Sequence, residues 1–422
     1  MKILQINKFY HQKGKSGGTG RYLLSLIDLL KKHNHQIQVF AMKDKNCLPS
    51  IYSPYFVEEQ DFSQLKLSSK IILKGIKFIY SFEAKKKIEK LIKIERPDLA
   101  HLHNIYHHIT PSILPVLKRY NIPVVQTLHD FHLISPNYNL YSEKSGIHEE
   151  CSHGKYWKAI VHKCIKNSRS ASALSTIKMY FEKITKIYTK NVDMFISPSQ
   201  FLMNKYIKNG FPSDKICFLR HFVELSEYKP KFSPGKYILF FGRLHAQKGV
   251  KTLIEAVSEL PDVSLKIVGS GKEEKNLLEL IAKKNTRNIE FLGAKYGEEL
   301  KNIIRNSAFV VIPSVWYENA PFVALEAFAL GKPVIASNLG GLPEIVKHKN
   351  TGLLFKAGDA EDLREKILSL SLYPCLIRTM GVQARLFVEK NFSPEKHYQD
   401  LMNIYKEALQ RAQGKLLKKE HL

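Results

Sequence analysis

YILFFGRLHAQKGVKTLIEAVSELPDVSLKIVG, residues 237–269, reads as strand, helix, strand. Tyr237–Gly242 and Ser264–Gly269 are short and apolar at nearly every position, as strands covered on both faces are. The longer amphipathic stretch Lys248–Leu260 lies between them. The same rhythm continues through the strand-like segments Ile289–Gly293, Phe309–Ser314 and Pro333–Ser337. Helical stretches at Lys272–Lys284, Gly297–Asn306 and Pro321–Leu330 separate these. Repeated strand, helix, strand units predict a parallel, doubly wound sheet. The first half repeats the theme more loosely, with strands expected at Lys2–Asn7, Gln36–Ala41, Leu99–His103, Val124–His129 and Met194–Ser197. Pro230, Pro234 and Gly235 interrupt any regular element near Leu225–Gly235, where the two halves should meet. The expected fold is therefore α/β, with two Rossmann-like domains. Residues 1–225 and 226–393 form these domains, and the helical tail 394–422 returns to the first.

Composition narrows the possibilities. The chain has 422 residues, 44% hydrophobic and 25% charged, the balance of a globular protein. No apolar run approaches the ~18 residues of a membrane span. The opening MKILQIN reads as a strand, not a signal peptide. Five cysteines, an odd number in so long a chain, argue against a disulfide scaffold and fit a reducing cytoplasm. The net charge is +26, of which residues 1–225 carry +18 (35 Lys+Arg against 17 Asp+Glu). Such a field attracts phosphorylated substrates, an anionic membrane face or nucleic acid, and it also serves solubility.

Ligands of open parallel sheets bind beyond the carboxyl ends of the strands, so the residues just past each strand are the informative ones. After the first strand, Gly17-Gly18-Thr19-Gly20 forms an expected loop before a helix beginning near Tyr22, suited to close approach of an anion. It does not match G-x-G-x-x-G, so a dinucleotide site is not indicated. After YILFFG come Arg243 and Lys248 beside a helix start, a diphosphate-binding combination. Ser270-Gly271 makes another tight turn that could approach the same group. After FVVIPS, Asn319 or Ala320 is the expected N-cap and Pro321 the first helical residue, with Gly331 ending the helix. Glu318 then sits at the mouth. Glu326 points inward from the almost wholly apolar PFVALEAFAL and must be charge-paired or hydrogen-bonded. Sugar and ribose hydroxyls are suitable partners; a structural ion pair is the alternative. In the first half a strand ends in His129-Asp130, where Asp130 could orient His129 toward a phosphate or sugar hydroxyl. His101 and His103 lack a convincing metal spacing. Cys151 and Cys164, near His153 and His162, are the other place a metal could sit, but none is expected.

GRLHAQKGVKTLIEA, LKIVGSGKE and ENAPFVALEAFALGKPVIASNLGGLPEIV succeed one another in an order that resembles the retaining glycosyltransferases of family four, whose architecture is GT-B. The Glu318-x7-Glu326 pair is the most specific element. TLHDFHLISPN is similar to a polysaccharide-assembly branch that often has cysteine where Ser135 stands. His221-Phe222-Val223-Glu224 departs from the family's more usual Asn-Gly-Val-Asp. The resemblance implies that Arg243 and Lys248 hold the diphosphate of a UDP- or GDP-sugar donor. It implies Glu326 on the ribose, Glu318 near the transferred sugar, and backbone N–H groups of Phe322 and Val323 on its hydroxyls. His129 would lie near the donor sugar, Gly17 and Gly18 beside acceptor and phosphate, and no metal or cofactor would be needed.

These expectations extend to a hexosyltransferase-like enzyme that transfers sugar to a saccharide or polyprenyl-linked acceptor in cell-surface polysaccharide assembly, such as capsule or lipopolysaccharide. The lysine-rich, apolar-interleaved stretch Leu65–Lys93 suggests peripheral attachment to the anionic inner face of the cytoplasmic membrane. Two competing readings are a basic nucleic-acid-binding protein, for which no recognition module is visible, and a catalytically silent sugar-nucleotide-binding relative. The second has no need of the full Arg243, Lys248, Glu318 and Glu326 set.

Overall fold

The computed structural model describes residues 1–12, 17–59 and 70–420. Two six-stranded sheets organise them. The first contains β1 (Lys2–Ile6), β2 (Gln36–Phe40), β3 (Leu99–Leu102), β4 (Val124–Thr127), β5 (Met194–Ser197) and β6 (Ile216–Phe218). Its order is β6-β5-β4-β3-β1-β2 and every pairing is parallel. The second contains β7 (Ile238–Phe241), β8 (Leu265–Val268), β9 (Ile289–Gly293), β10 (Val310–Ile312), β11 (Val334–Ser337) and β12 (Gly352–Phe355). It is parallel in the order β9-β8-β7-β10-β11-β12. The strand order reverses between β1 and β3 and between β7 and β10, and such switch points open crevices for ligands.

Strand character reflects burial. β7, β10 and β11 are buried at every position, which only apolar, largely β-branched or aromatic sequence can satisfy. Two edge strands are not evident from the sequence. β6 is three residues long and fully buried only at Ile216. β12 starts at Gly352, where a side chain would meet the carbonyl oxygen of Val334 at 1.9 Å. Pairing with β11 makes it a strand, not local propensity.

Local corrections arise at three places. The helix Gly17–Lys32 already begins at Gly17, so the four-residue glycine segment is its first turn, not a loop preceding Tyr22. The helix Phe322–Ala329 has Pro321 as its N-cap, because the Asn319 side chain is committed elsewhere, donating from Nδ2 to the His129 carbonyl at 2.9 Å. Within Leu65–Lys93, residues 65–69 lie outside the described residues. The remainder enters two helices, Lys70–Ile79 and Phe82–Glu95, divided at Ser81, whose side chain caps the second. That second helix buries Ala84, Ile88, Leu91 and Ile92 against the first sheet, so its main apolar stripe is occupied by the core.

The last helix, Pro394–Glu420, crosses to the first sheet. Leu401, Ile404, Tyr405 and Ala408 pack there with Ile3, Tyr22, Leu26 and Leu99. Among the described residues no helix is long and apolar enough to cross a membrane.

Candidate active site

A cavity of about 370 Å³ lies where the carboxyl ends of the two sheets face each other. Gly17, Gly18, His129, Arg243, Lys248, Glu318, Phe322, Val323 and Glu326 all line it. Gly271 does not. A side chain at Gly271 would meet the Leu244 carbonyl oxygen at 2.2 Å, so this glycine serves the packing of two turns against each other.

Glu318 is buried and anchored by one oxygen. Its Oε1 accepts from Lys248 Nζ at 2.6 Å, Ser314 Oγ at 2.8 Å and Trp316 Nε1 at 2.9 Å. Burial alone would push its carboxyl up, but Lys248 and the two other donors outweigh it and hold the group below the usual carboxylate range. The acid is therefore ionised at neutral pH. Its Oε2 has no partner among the described residues. The loop is fixed from behind by Gly340-Gly341. The Gly341 N–H donates to the Glu318 carbonyl at 2.6 Å, and a side chain on Gly341 would fall 2.0 Å from the Asn319 carbonyl oxygen.

Glu326 repeats this pattern eight residues later. Its Oε1 accepts from Arg21 Nη1 at 2.5 Å and from the Tyr228 hydroxyl at 3.3 Å, while Arg21 Nη2 also donates to Tyr228 at 2.5 Å. Oε2 again has no partner among the described residues. Ion pairing and hydroxyl binding, read in the sequence as alternatives, are thus compatible on one carboxylate. Arg21 comes from the first sheet's helix, lies over the Phe322 ring at 5.1 Å, and ties the two halves together across the cleft. Sequence reading missed Arg21 and Tyr228; the one available signal was a cation directly after the glycine segment.

Arg243 lines the cavity with no carboxylate partner among the described residues, leaving an uncompensated cation. The first-turn N–H groups of Phe322 and Val323 add positive potential at the same wall. His129 is held neutral by burial, reinforced by His103. Its Nε2 bonds His103 Nδ1 at 3.0 Å, and His103 Nε2 bonds Gln5 Oε1 at 3.0 Å. Asp130 does not orient it. That carboxylate accepts instead from the Tyr106 hydroxyl and from the His132 N–H at 2.9 Å, because the chain turns away immediately after His129.

A field of cations and N–H dipoles, with two acids each offering one oxygen unpartnered among the described residues, suits a ligand bearing both phosphates and hydroxyls. Residues 16–227 match the model of Glycosyltransferase Family 4, and residues 224–386 that of Glycosyl transferases group 1. The chain belongs to glycosyltransferase family 4. This glycosyltransferase is 29% identical over 358 residues to the uncharacterized glycosyltransferase MJ1178 of Methanocaldococcus jannaschii, covering 80% of this chain and 98% of that one. It is 25% identical to a 42.6 kDa protein in the cps region of Klebsiella pneumoniae, over 82% and 87% of the two chains. An amylovoran biosynthesis glycosyltransferase of Erwinia amylovora is 28% identical over 52% of this chain and 57% of its own. The fold is that of sucrose-phosphate synthase from Thermosynechococcus elongatus, with a TM-score of 0.71, 20% identity and coverage of 96% and 98%. It is also that of Anabaena Alr3699/HepE, solved in complex with UDP and glucose, with a TM-score of 0.67, 20% identity and coverage of 96% and 99%.

Proposed function

We propose that this glycosyltransferase moves a sugar, with retention and without a metal, from a UDP- or GDP-sugar to a saccharide or polyprenyl-linked acceptor in surface-polysaccharide assembly. The observation that carries the reading is the pair of carboxylates, each tethered through Oε1 and open at Oε2 among the described residues, beside an arginine with no carboxylate partner among them. Glu326 Oε2 accepts from a ribose hydroxyl. Glu318 Oε2 and the N–H groups of Phe322 and Val323 take hydroxyls of the transferred sugar, and Gly17 and Gly18 let the diphosphate approach the backbone.

As the sugar–phosphate bond breaks, positive charge develops at the anomeric carbon and negative charge on the leaving diphosphate. Arg243 and Lys248 stabilise that charge in place of a divalent cation, and such preorganised donors act strongly where water is excluded. Lys248 reaches the diphosphate while held by Glu318. The departing phosphate oxygen accepts the acceptor's proton on the face it leaves, so retention needs no protein nucleophile. His129 contributes a neutral imidazole to the sugar side.

A second cavity of about 1010 Å³ shares Tyr138, Arg243 and Trp316 with the first. Lys8, Lys166 and Lys272 line it together with Glu59 and Glu143, an excess of cations that suits a phosphorylated acceptor. The exposed face of the helix Phe82–Glu95 carries Lys86, Lys90 and Lys93 with Phe82 and Ile94, the composition of a contact with an anionic bilayer. On this reading the enzyme works in the cytoplasm at the inner membrane face.

Thermal shift against UDP-, GDP- and ADP-sugars, with no divalent metal added, tests the donor. The right donor at about 100 times its dissociation constant stabilises by about 2.7 kcal/mol. A shift that appears only with added magnesium or manganese contradicts metal independence at the diphosphate. The anomeric configuration of the product, read by NMR, tests retention. Flotation with anionic vesicles at low salt tests the membrane contact, and absence of binding removes it.

A further inference from the structure

We infer that His148, Cys151 and Cys164 form a zinc site that staples the long segment between β4 and the helix Arg169–Thr185. The three ligand atoms make a nearly equilateral triangle. His148 Nε2 lies 3.2 Å from Cys151 Sγ, the two sulfurs are 3.3 Å apart, and Cys164 Sγ is 3.4 Å from His148 Nε2. A tetrahedral zinc about 2.3 Å from each thiolate sets its sulfurs about 3.8 Å apart, so the triangle need open by only about half an ångström. His148 and Cys151 are buried. His162 stands beside them, its ring 4.9 Å from that of His148, and takes the fourth position by releasing its 3.4 Å contact with Glu150. The spacing is His148-x2-Cys151-x10-His162-x-Cys164. Proximity in sequence groups the cysteines with His153, whose Nδ1 is instead 2.7 Å from the Ser152 hydroxyl.

The surrounding chain explains why a staple belongs here. Between Thr127 and Arg169 the regular structure amounts to two two-residue strands and one four-residue helix. Leu140, His153, Lys163, Lys166 and Asn167 all adopt positive φ, a conformation that L side chains rarely take without an external constraint. Segments of this kind, with little core of their own, are commonly fixed by disulfides or structural metals. The staple has a consequence at the cleft. Glu149, between two of the ligands, accepts from the Tyr317 hydroxyl at 2.6 Å and from Lys205 Nζ at 2.6 Å. Tyr317 precedes Glu318, so the metal fixes the first half of the chain against the loop that carries the acid. This role is structural and does not depend on the choice of donor or acceptor.

Metal analysis of the full-length enzyme, purified without chelator, tests the assignment. The expected result is about one zinc per chain, falling below about 0.1 in Cys151→Ser and Cys164→Ser. Because those variants can misfold, the wild type is also stripped and reloaded with cobalt(II). Thiolate-to-cobalt charge transfer and strong tetrahedral d–d bands are expected in the reloaded protein. His162→Ala should weaken zinc by about tenfold in competition with a chelator, and unchanged affinity removes His162 from the ligand set. A wild-type chain that refuses zinc and cobalt overturns the site. So does an intact mass showing a Cys151–Cys164 disulfide in protein purified under reducing conditions.

Discussion

Acidification from pH 7 to pH 5 should unfold this glycosyltransferase far more steeply than its carboxylates would dictate. His101, His103, His221 and His397 are buried, and His129 is partly buried, around or beside the Tyr22 ring. Burial, aided in most cases by neighbouring imidazoles, pushes His101 down to about 3 and His397 to about 4, with the other three well below the usual value. Above pH 6.5 both folded and unfolded chains hold these rings neutral. Below it the unfolded chain binds protons that the folded chain refuses, so stability falls as pH falls, from about 6.5 toward 4. Nearby, the lowered His107, His108 and His132 act in the same sense, while the raised Asp130 and Glu182 oppose it. Five protons at about 1.4 kcal/mol each give a limiting slope of about 7 kcal/mol per pH unit. Total stabilities are typically 5–15 kcal/mol, so such a slope exhausts them within one or two units. Urea unfolding at intervals between pH 7 and 5 measures the slope directly. A slope below about 1.4 kcal/mol per pH unit, one proton or fewer, refutes the reasoning.

The cleft yields three further expected outcomes. Lys248→Ala leaves Glu318 buried without its cation; it should cost about 3 kcal/mol in denaturant unfolding and lower turnover by about 100-fold or more, and wild-type turnover removes the diphosphate role. Arg21→Ala should destabilise by about 2–3 kcal/mol, because Glu326 keeps only Tyr228 on Oε1, and unchanged stability shows that the cross-cleft pair contributes nothing. Gly341→Ala forces a methyl group to within 2.0 Å of the Asn319 carbonyl and must displace the Glu318 loop. A shift of about 1 Å at a reacting centre costs about 100-fold in kcat, and full activity would show that the loop is not held from this side.

The strands of the second sheet were legible because each is apolar on both faces, a pattern that only a covered parallel sheet requires. Arg243, Lys248, Glu318 and Glu326 were legible because strand ends in such sheets converge on one crevice. What the sequence hid was tertiary. Arg21 and Glu326 lie 305 residues apart, and nothing local joins them. Proximity in sequence suggested Asp130 as the partner of His129, yet the strand pairing of β3 with β4 delivers His103 instead. β12 depends on its neighbour for its extended form, and the glycine-rich stretch after β1 looked like a loop although its backbone is helical from Gly17. His148 joined the cysteines only once a two-residue hairpin had turned the chain back.

One grip underlies the chemistry, a cationic pocket closing on a nucleoside diphosphate. Calorimetric titration of UDP and GDP into wild type and Arg243→Ala, with no divalent metal added, measures it. Charged hydrogen bonds of about 1.5–3 kcal/mol predict that the variant folds normally and binds the preferred nucleotide about 10- to 100-fold more weakly. Equal dissociation constants for the two proteins, or no binding of either nucleotide to the wild type, would contradict it.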